Sequence, residues 1–221
     1  MTMYAGQKRN MWTKASIFIF AMVLISCDLT SSPRNTGNFF PLSEGNRWKM
    51  VDSIRQNGVF RAQDTFDIYV GKAITIAVGG QSLQAFKVNW GTMDPDSLFS
   101  IERMESDGLS VYGASEAGKD TVIGKSLDIK YPAAMGDKWY RKSVYWSGAK
   151  WVSVLDTLEF VSLDTAIVTP AGNFHCFGVK WGSGVNFGFD YYSIGVGLVA
   201  ATFISNGTLF TKSLLLSYSL K

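Results

Sequence analysis

The feature that most constrains this chain is a segment written twice. Phe40-Pro41-Leu42-Ser43-Glu44-Gly45-Asn46-Arg47-Trp48 returns as Tyr131-Pro132-Ala133-Ala134-Met135-Gly136-Asp137-Lys138-Trp139, with the aromatic, Pro, Gly and Trp of each copy 91 residues apart. At the same spacing, Phe86-Lys87-Val88-Asn89-Trp90-Gly91 returns as Phe177-Gly178-Val179-Lys180-Trp181-Gly182. Tryptophan is scarce, seven in 221 residues, so two Trp pairs in one register point to a tandem duplication of one β-rich unit. Gly108-Leu109 and Gly197-Leu198 extend the match at a spacing of 89. The expected repeats are residues 39–125 and 126–221, packed together as one body.

The repeated residues suit a strand entrance. Pro cannot donate to a ladder and belongs just before a strand, Gly supplies the turn, and Trp is a large core anchor. The competing reading makes Trp48, Trp90, Trp139 and Trp181 stacking platforms for a sugar or other planar ligand.

Period-two alternation dominates elsewhere. Trp48, Met50 and Ile54 fall on one face, Arg47, Lys49, Ser53 and Arg55 on the other. Near the C-terminus Phe210, Leu214, Leu216, Tyr218 and Leu220 alternate with Thr211, Ser213, Ser217 and Ser219. Asn57-Gly58, Gly79-Gly80, Asp107-Gly108, Ser147-Gly148 and Asn206-Gly207 are hairpin signals. Aromatics make up 14% of the residues and there are only five Pro, which suits sheets. The fold expected is all-β and antiparallel, a curved sheet or barrel with pseudo-two-fold symmetry.

The first 26 residues read as an export signal. Lys8, Arg9 and Lys14 form a basic n-region, and Ala15 to Ile25 is an apolar run too short to span a bilayer. Leu24-Ile25-Ser26-Cys27 resembles the bacterial lipobox, which implies that Cys27 is lipidated and becomes the first residue. That leader holds three of the 21 Lys and Arg and none of the 18 Asp and Glu, so the remainder carries 18 of each sign. The formal net charge of +3 therefore belongs to the signal, and no basic surface for nucleic acid is left. Residues 27–38 read as a flexible tether. The expected location is the cell envelope, at either membrane, with the N-terminal lipid as the membrane contact.

Chemistry is sparse. The one histidine, His175, stands beside Cys176, and neighbours in a strand point to opposite faces, which disfavours a Cys/His dyad. With Cys27 lipidated, Cys176 has no partner for a disulfide and reads as a small buried hydrophobe. Gly113 to Lys119 and Gly124-Lys125-Ser126 are phosphate-loop lookalikes that read as turns, and Asp94-Pro95-Asp96 lacks the other ligands of a calcium loop. No catalytic set, metal site or cofactor is expected, although scattered carboxylates such as Asp156, Glu159 and Asp164 leave convergence in space open.

The Phe40-Pro41-Leu42 segment with Gly45 and Trp48, Thr169 to Cys176 with Gly172 and Phe174, and Gly195-Val196-Gly197-Leu198-Val199 together resemble a group of uncharacterised bacterial envelope lipoproteins. In that group Leu is usual where Ala133-Ala134 stands. The resemblance implies a β-rich exported domain and brings no catalytic residues. Three functions follow as expectations: a non-catalytic envelope protein that binds a protein, glycan or lipid or has a structural part; a carrier of a lipid or other apolar ligand inside a curved sheet; and an envelope hydrolase using convergent carboxylates.

Overall fold

A computed structural model describes residues 38–91, 99–116, 119–146 and 150–221. The leader with Leu24-Ile25-Ser26-Cys27, the tether up to residue 37, Asp94-Pro95-Asp96, Gly118 and Ser147-Gly148 lie outside the described residues.

The strands are β1 (Arg47–Gln56), β2 (Val59–Val78), β3 (Gln81–Gly91), β4 (Phe99–Glu105), β5 (Gly108–Glu116), β6 (Lys119–Lys130), β7 (Lys138–Trp146), β8 (Trp151–Thr169), β9 (Gly172–Ser183), β10 (Asn186–Ser193), β11 (Gly197–Ser205) and β12 (Thr208–Ser219). They form one antiparallel sheet in the order β6-β5-β4-β3-β2-β1-β12-β11-β10-β9-β8-β7. The last strand pairs with the first, Trp48 opposite Tyr218 and Met50 opposite Leu215, so an up-and-down meander is bent into a nearly closed barrel. The all-β, antiparallel, strongly curved sheet expected from the alternation is what forms. Asn57 and Gly58, with φ of 50° and 76°, make the tight hairpin turn that joins β1 to β2.

Closure is completed where β6 meets β7, the two ends of the sheet order. Side chains bridge this seam instead of a backbone ladder. Trp139 Nε1 donates to the Asp128 carbonyl at 3.2 Å, the Lys142 amide donates to Ser126 Oγ at 2.7 Å, and Lys130 pairs with Asp137 at 2.6 Å.

Cross-strand partners share a face, so the register fixes what lines the barrel. Trp48 stands opposite Ile68, and Ile68 opposite Trp90, across β1 to β3. Trp139 stands opposite Leu158, and Leu158 opposite Trp181, across β7 to β9. Each half thus carries an indole, an aliphatic side chain and an indole in one row on the inner wall.

The segments ahead of β1 and β7 also follow one path. The Gly45 amide donates to Val70 O at 2.9 Å, and the Gly136 amide to Phe160 O at 2.8 Å. The first segment then crosses to the opposite half. A Cβ on Gly197 would lie 2.9 Å from the Phe40 ring, so this glycine makes room for the aromatic that opens that segment. A Cβ on Gly108 would meet the Ile129 carbonyl oxygen at 1.9 Å, so the matched glycine instead lets the end of β6 pass close to β5, and the Tyr131 ring stacks on Phe177 of β9 at 5.1 Å. Phe39 is fully buried among Tyr131, Phe177 and Tyr192, at centroid distances of 5.1, 5.3 and 6.0 Å. At about 2–3 kcal/mol per buried aromatic, these straps weld both halves into one core.

Three expectations need correction. The boundary at 125/126 falls inside β6, an unbroken strand, and the two meanders divide instead at the turn 131–137. Gly124-Lys125-Ser126 is likewise within β6 and is no turn between strands. It sits where the register against β5 slips between Val111 and Gly113, a bulge that Gly124 accommodates with φ of 83°. On β12 the side chains buried most deeply are Ser213 and Leu215, whereas Phe210 and Leu216 are 41% and 37% exposed. A register slip against Lys49/Met50 of β1 inserts a residue, and one residue is enough to exchange the faces of a strand.

Candidate ligand-binding site

The inner wall lines a partly open cavity of about 490 Å³, bordered from β2 to β7 and from β9 to β11. Its lining is mostly apolar and includes the aromatic side chains of Phe66, Trp90, Phe99, Trp181 and Tyr192. The two indole rows meet it differently along their length. Trp48 is fully buried and Trp139 is 8% exposed, and their N–H groups donate to the carbonyls of Val196 and Asp128. Trp90 and Trp181 line the cavity. Of the four expected stacking candidates, these two alone present a ring there; Trp48 and Trp139 are core anchors.

Each cavity-lining indole hydrogen-bonds a carboxylate. Trp90 Nε1 donates to Glu102 Oε1 at 2.9 Å and to Ser100 Oγ at 3.1 Å, and the Ser100 hydroxyl also contacts Glu102 Oε1. Trp181 hydrogen-bonds the carboxylate of Asp190, a strand neighbour on β10. A Cβ at Gly188 would fall 2.3 Å from the Trp181 ring, so a glycine there lets the indole lie across β10. On its other side Trp181 stacks on Phe203 at 5.6 Å, as Trp90 stacks on Phe40 at 6.0 Å.

Glu102 is 1% exposed, and its Oε2 has no hydrogen-bond partner among the described residues. Removal from water pushes its carboxyl up to about 7; the Ser100 and Trp90 hydrogen bonds resist this and the charge of Asp128 adds to it. Burial also raises Asp190, to about 6, against the pull of Trp181 and Arg141. Arg141, the cation of the inner wall, is already engaged: it meets Asp128 at 3.0 Å and Asp156 at 3.4 Å. Burial works against its charge, but Asp128, Asp156 and Asp190 outweigh burial and hold the guanidinium protonated above its ordinary value.

Among the carboxylates singled out in the sequence, Asp156 joins this network, while Glu159 pairs with Lys138 at 3.6 Å and Asp164 with His175 at 2.8 Å. His175 is solvent-exposed and Cys176, next to it, is 1% exposed in the core, its thiol pushed by burial up to about 12. The sequence reading missed Glu102, Asp128, Arg141 and Asp190. A signal for two of them exists: Phe99-Ser100-Ile101-Glu102 and Phe187-Gly188-Phe189-Asp190-Tyr191-Tyr192 each set a lone acid in an apolar run soon after a matched Trp. No group of three metal-ligating side chains is drawn together among the described residues.

No protein-family model matches the chain, and no curated protein matches it. Solved structures do. A protein of Bacteroides fragilis NCTC 9343, described as an exported protein with a YmcC-like fold, is 17% identical with a TM-score of 0.43, covering 83% of this chain and 100% of its own. A protein of Parabacteroides distasonis described as a lipoprotein is 16% identical with a TM-score of 0.41, over 83% of this chain and 99% of that one. The hypothetical lipoprotein YmcC of Escherichia coli is 9% identical with a TM-score of 0.30, over 79% and 86%.

Proposed function

We propose that the protein is a non-catalytic, lipid-anchored component of the bacterial cell envelope that holds a small ligand in its barrel cavity. The observation that carries this reading is the cavity wall, where each half supplies an indole and a carboxylate to one hollow of about 490 Å³. A pre-formed, largely apolar hollow with a few convergent polar groups is the usual form of a small-molecule site. It favours the carrier reading over a solid body that binds only at its surface. The indole rows and the matched amide bonds of Gly45 and Gly136 support a duplicated unit, with each half building one wall.

Anchoring rests on Leu24-Ile25-Ser26-Cys27, with residues 27–38 as the tether. Acyl chains at about 0.8 kcal/mol per buried CH₂ hold such a protein at a bilayer durably once more than one is inserted. Cys27→Ala is expected to release the protein from the membrane fraction, and a mutant that still sediments with membranes removes the anchor. For the cavity, native mass spectrometry of the detergent-purified protein is expected to show a bound small molecule that is lost in the Trp90→Ala, Trp181→Ala double variant. A protein that carries nothing and takes up no apolar probe would overturn the reading.

Hydrolysis is the second reading, favoured by one observation. Glu102 and Asp190, both held towards the protonated form, face the same hollow as the Arg141-paired Asp128. A carboxyl displaced in this way is what a general acid requires. Turnover of glycosides or esters, abolished by Glu102→Gln, would move the protein to that class.

A further inference from the structure

The charged groups of the cavity wall do not balance. Arg141 is engaged by Asp128 and Asp156 and feels the charge of Asp190 as well. Lys142, exposed at the cavity rim, is the other cation of the lining. Asp190 has the Trp181 indole and a share of the Arg141 charge, whereas Glu102 is left with indole and hydroxyl donors and no cation. A buried carboxylate without a counter-charge is costly, and Glu102 keeps one oxygen wholly unpartnered while more than nine-tenths buried.

Five aromatic side chains, Phe66, Trp90, Phe99, Trp181 and Tyr192, stand among small and aliphatic residues in the rest of the wall. Indole and phenyl faces carry negative charge density and attract cations, most strongly where water is excluded. Carboxylates and aromatic faces around one hollow are complementary to a single kind of ligand, a positive charge on a carbon skeleton. No group of three metal-ligating side chains is found among the described residues, and the mostly apolar lining suits a cation that carries a carbon skeleton.

We propose that the cavity is a site for a small organic ammonium ion, its charged group taken by Glu102 and Asp190 and its carbon skeleton by Trp90, Trp181 and Phe66. The proposal rests on the binding reading above and adds the class of ligand. The shared chemistry is the alkylammonium group, which a free amine or an aminolipid headgroup supplies equally.

Binding is linked to protons. Glu102 faces Trp90, Ser100 and Asp128, and Asp190 faces Trp181, Arg141 and Asp128, with Lys142 at the rim and Tyr192 on the wall. Both acids sit high, at about 7 and about 6, so an arriving cation displaces protons from them. Affinity for an ammonium ion therefore rises with pH through that window.

The test is calorimetric titration of the detergent-purified full chain with n-hexylammonium, with n-hexanol as its neutral counterpart, at about pH 5.5 and about pH 8. The expected result is tighter binding of hexylammonium at the higher pH and a loss of about tenfold or more in Glu102→Gln, with hexanol unaffected by either change. Asp190→Asn is the second variant should Glu102→Gln fail to fold. Ethanolamine and lysophosphatidylethanolamine separate the two sources: tighter binding of the lysolipid assigns the site to a headgroup, and comparable binding assigns it to free amines. If hexanol and hexylammonium bind alike at both pH values, the cation is wrong and the cavity stands. If neither binds and the protein carries no ligand, the binding reading itself falls.

Discussion

At position 102 a glutamate stands where neither face of its strand meets water. Ile101 before it is buried in a small cluster with Ile76, Ala85 and Tyr112, while Glu102 turns to the cavity. Its weakened acidity has a consequence for stability. The folded carboxyl titrates near 7 and an ordinary glutamate near 4.5, so the folded state holds the proton more tightly. Stability is then greatest below about pH 4.5, falls as pH rises to about 7, and is level above that. Glu102→Gln keeps an acceptor for Trp90 and removes the buried charge. It should stabilise the protein at pH 8 by on the order of 2–3 kcal/mol and change little at pH 4, as read by urea unfolding at both values. The matched tryptophans separate at this scale too. Trp48→Ala should cost about 3–5 kcal/mol, whereas Trp90→Ala, at a ring 38% exposed, should cost clearly less in the same assay. The repeat spacing picked out both pairs, and alternation put both on the inner face. It could not tell anchor from cavity wall, because Phe40 and Val196 enclose Trp48 from distant parts of the chain.

Strands and turns were the legible elements, and their faces were legible only up to the first bulge. The buried Trp48 and Met50 with exposed Arg47 and Lys49 follow the alternation of β1. β12 does not, because its register slips against that same strand and nothing in its own residues marks the slip. The β6/β7 seam was equally hidden, since Leu127-Asp128-Ile129-Lys130 alternates as an ordinary strand does. Without a ladder, seam amides lack the protection that pairing gives β1 and β12. Hydrogen exchange should therefore be faster along the facing edges of β6 and β7 than along β1/β12, and exchange that is uniform around the barrel would contradict a side-chain seam. Arg141 holds this seam by reaching Asp128 on β6 and Asp156 on β8. Arg141→Met leaves both carboxylates without their cation and should cost on the order of 3 kcal/mol in urea unfolding, with the seam amides the first to lose protection.

The whole molecule depends on a segment passed from one half to the other. Phe39 and Phe40 enter the second half, Tyr131 meets Phe39 and Phe177 there, and one core runs through both. Residues 38–130 produced alone should therefore give no cooperative unfolding transition, while adding residues 131–221 as a separate chain should restore one; circular dichroism with urea reads both. The doubled segment led the sequence reading to expect two like units from the spacing of Trp, Pro and Gly. It did not announce that the aromatics opening the first would be buried against the second half, because that contact joins residues far apart in the chain.

That β12 pairs with β1 also sets a timetable. As a chain is delivered from its N-terminus, β1 to β6 can zip up in turn, each strand on the one before it. The outer edge of β1 must wait for the final strand, more than 150 residues later. Such late pairing carries a large loop-closure cost and makes folding slow. Throughout that interval the first strand offers a bare hydrogen-bonding rim to any passing neighbour, so the period of greatest aggregation hazard ends only when β12 arrives.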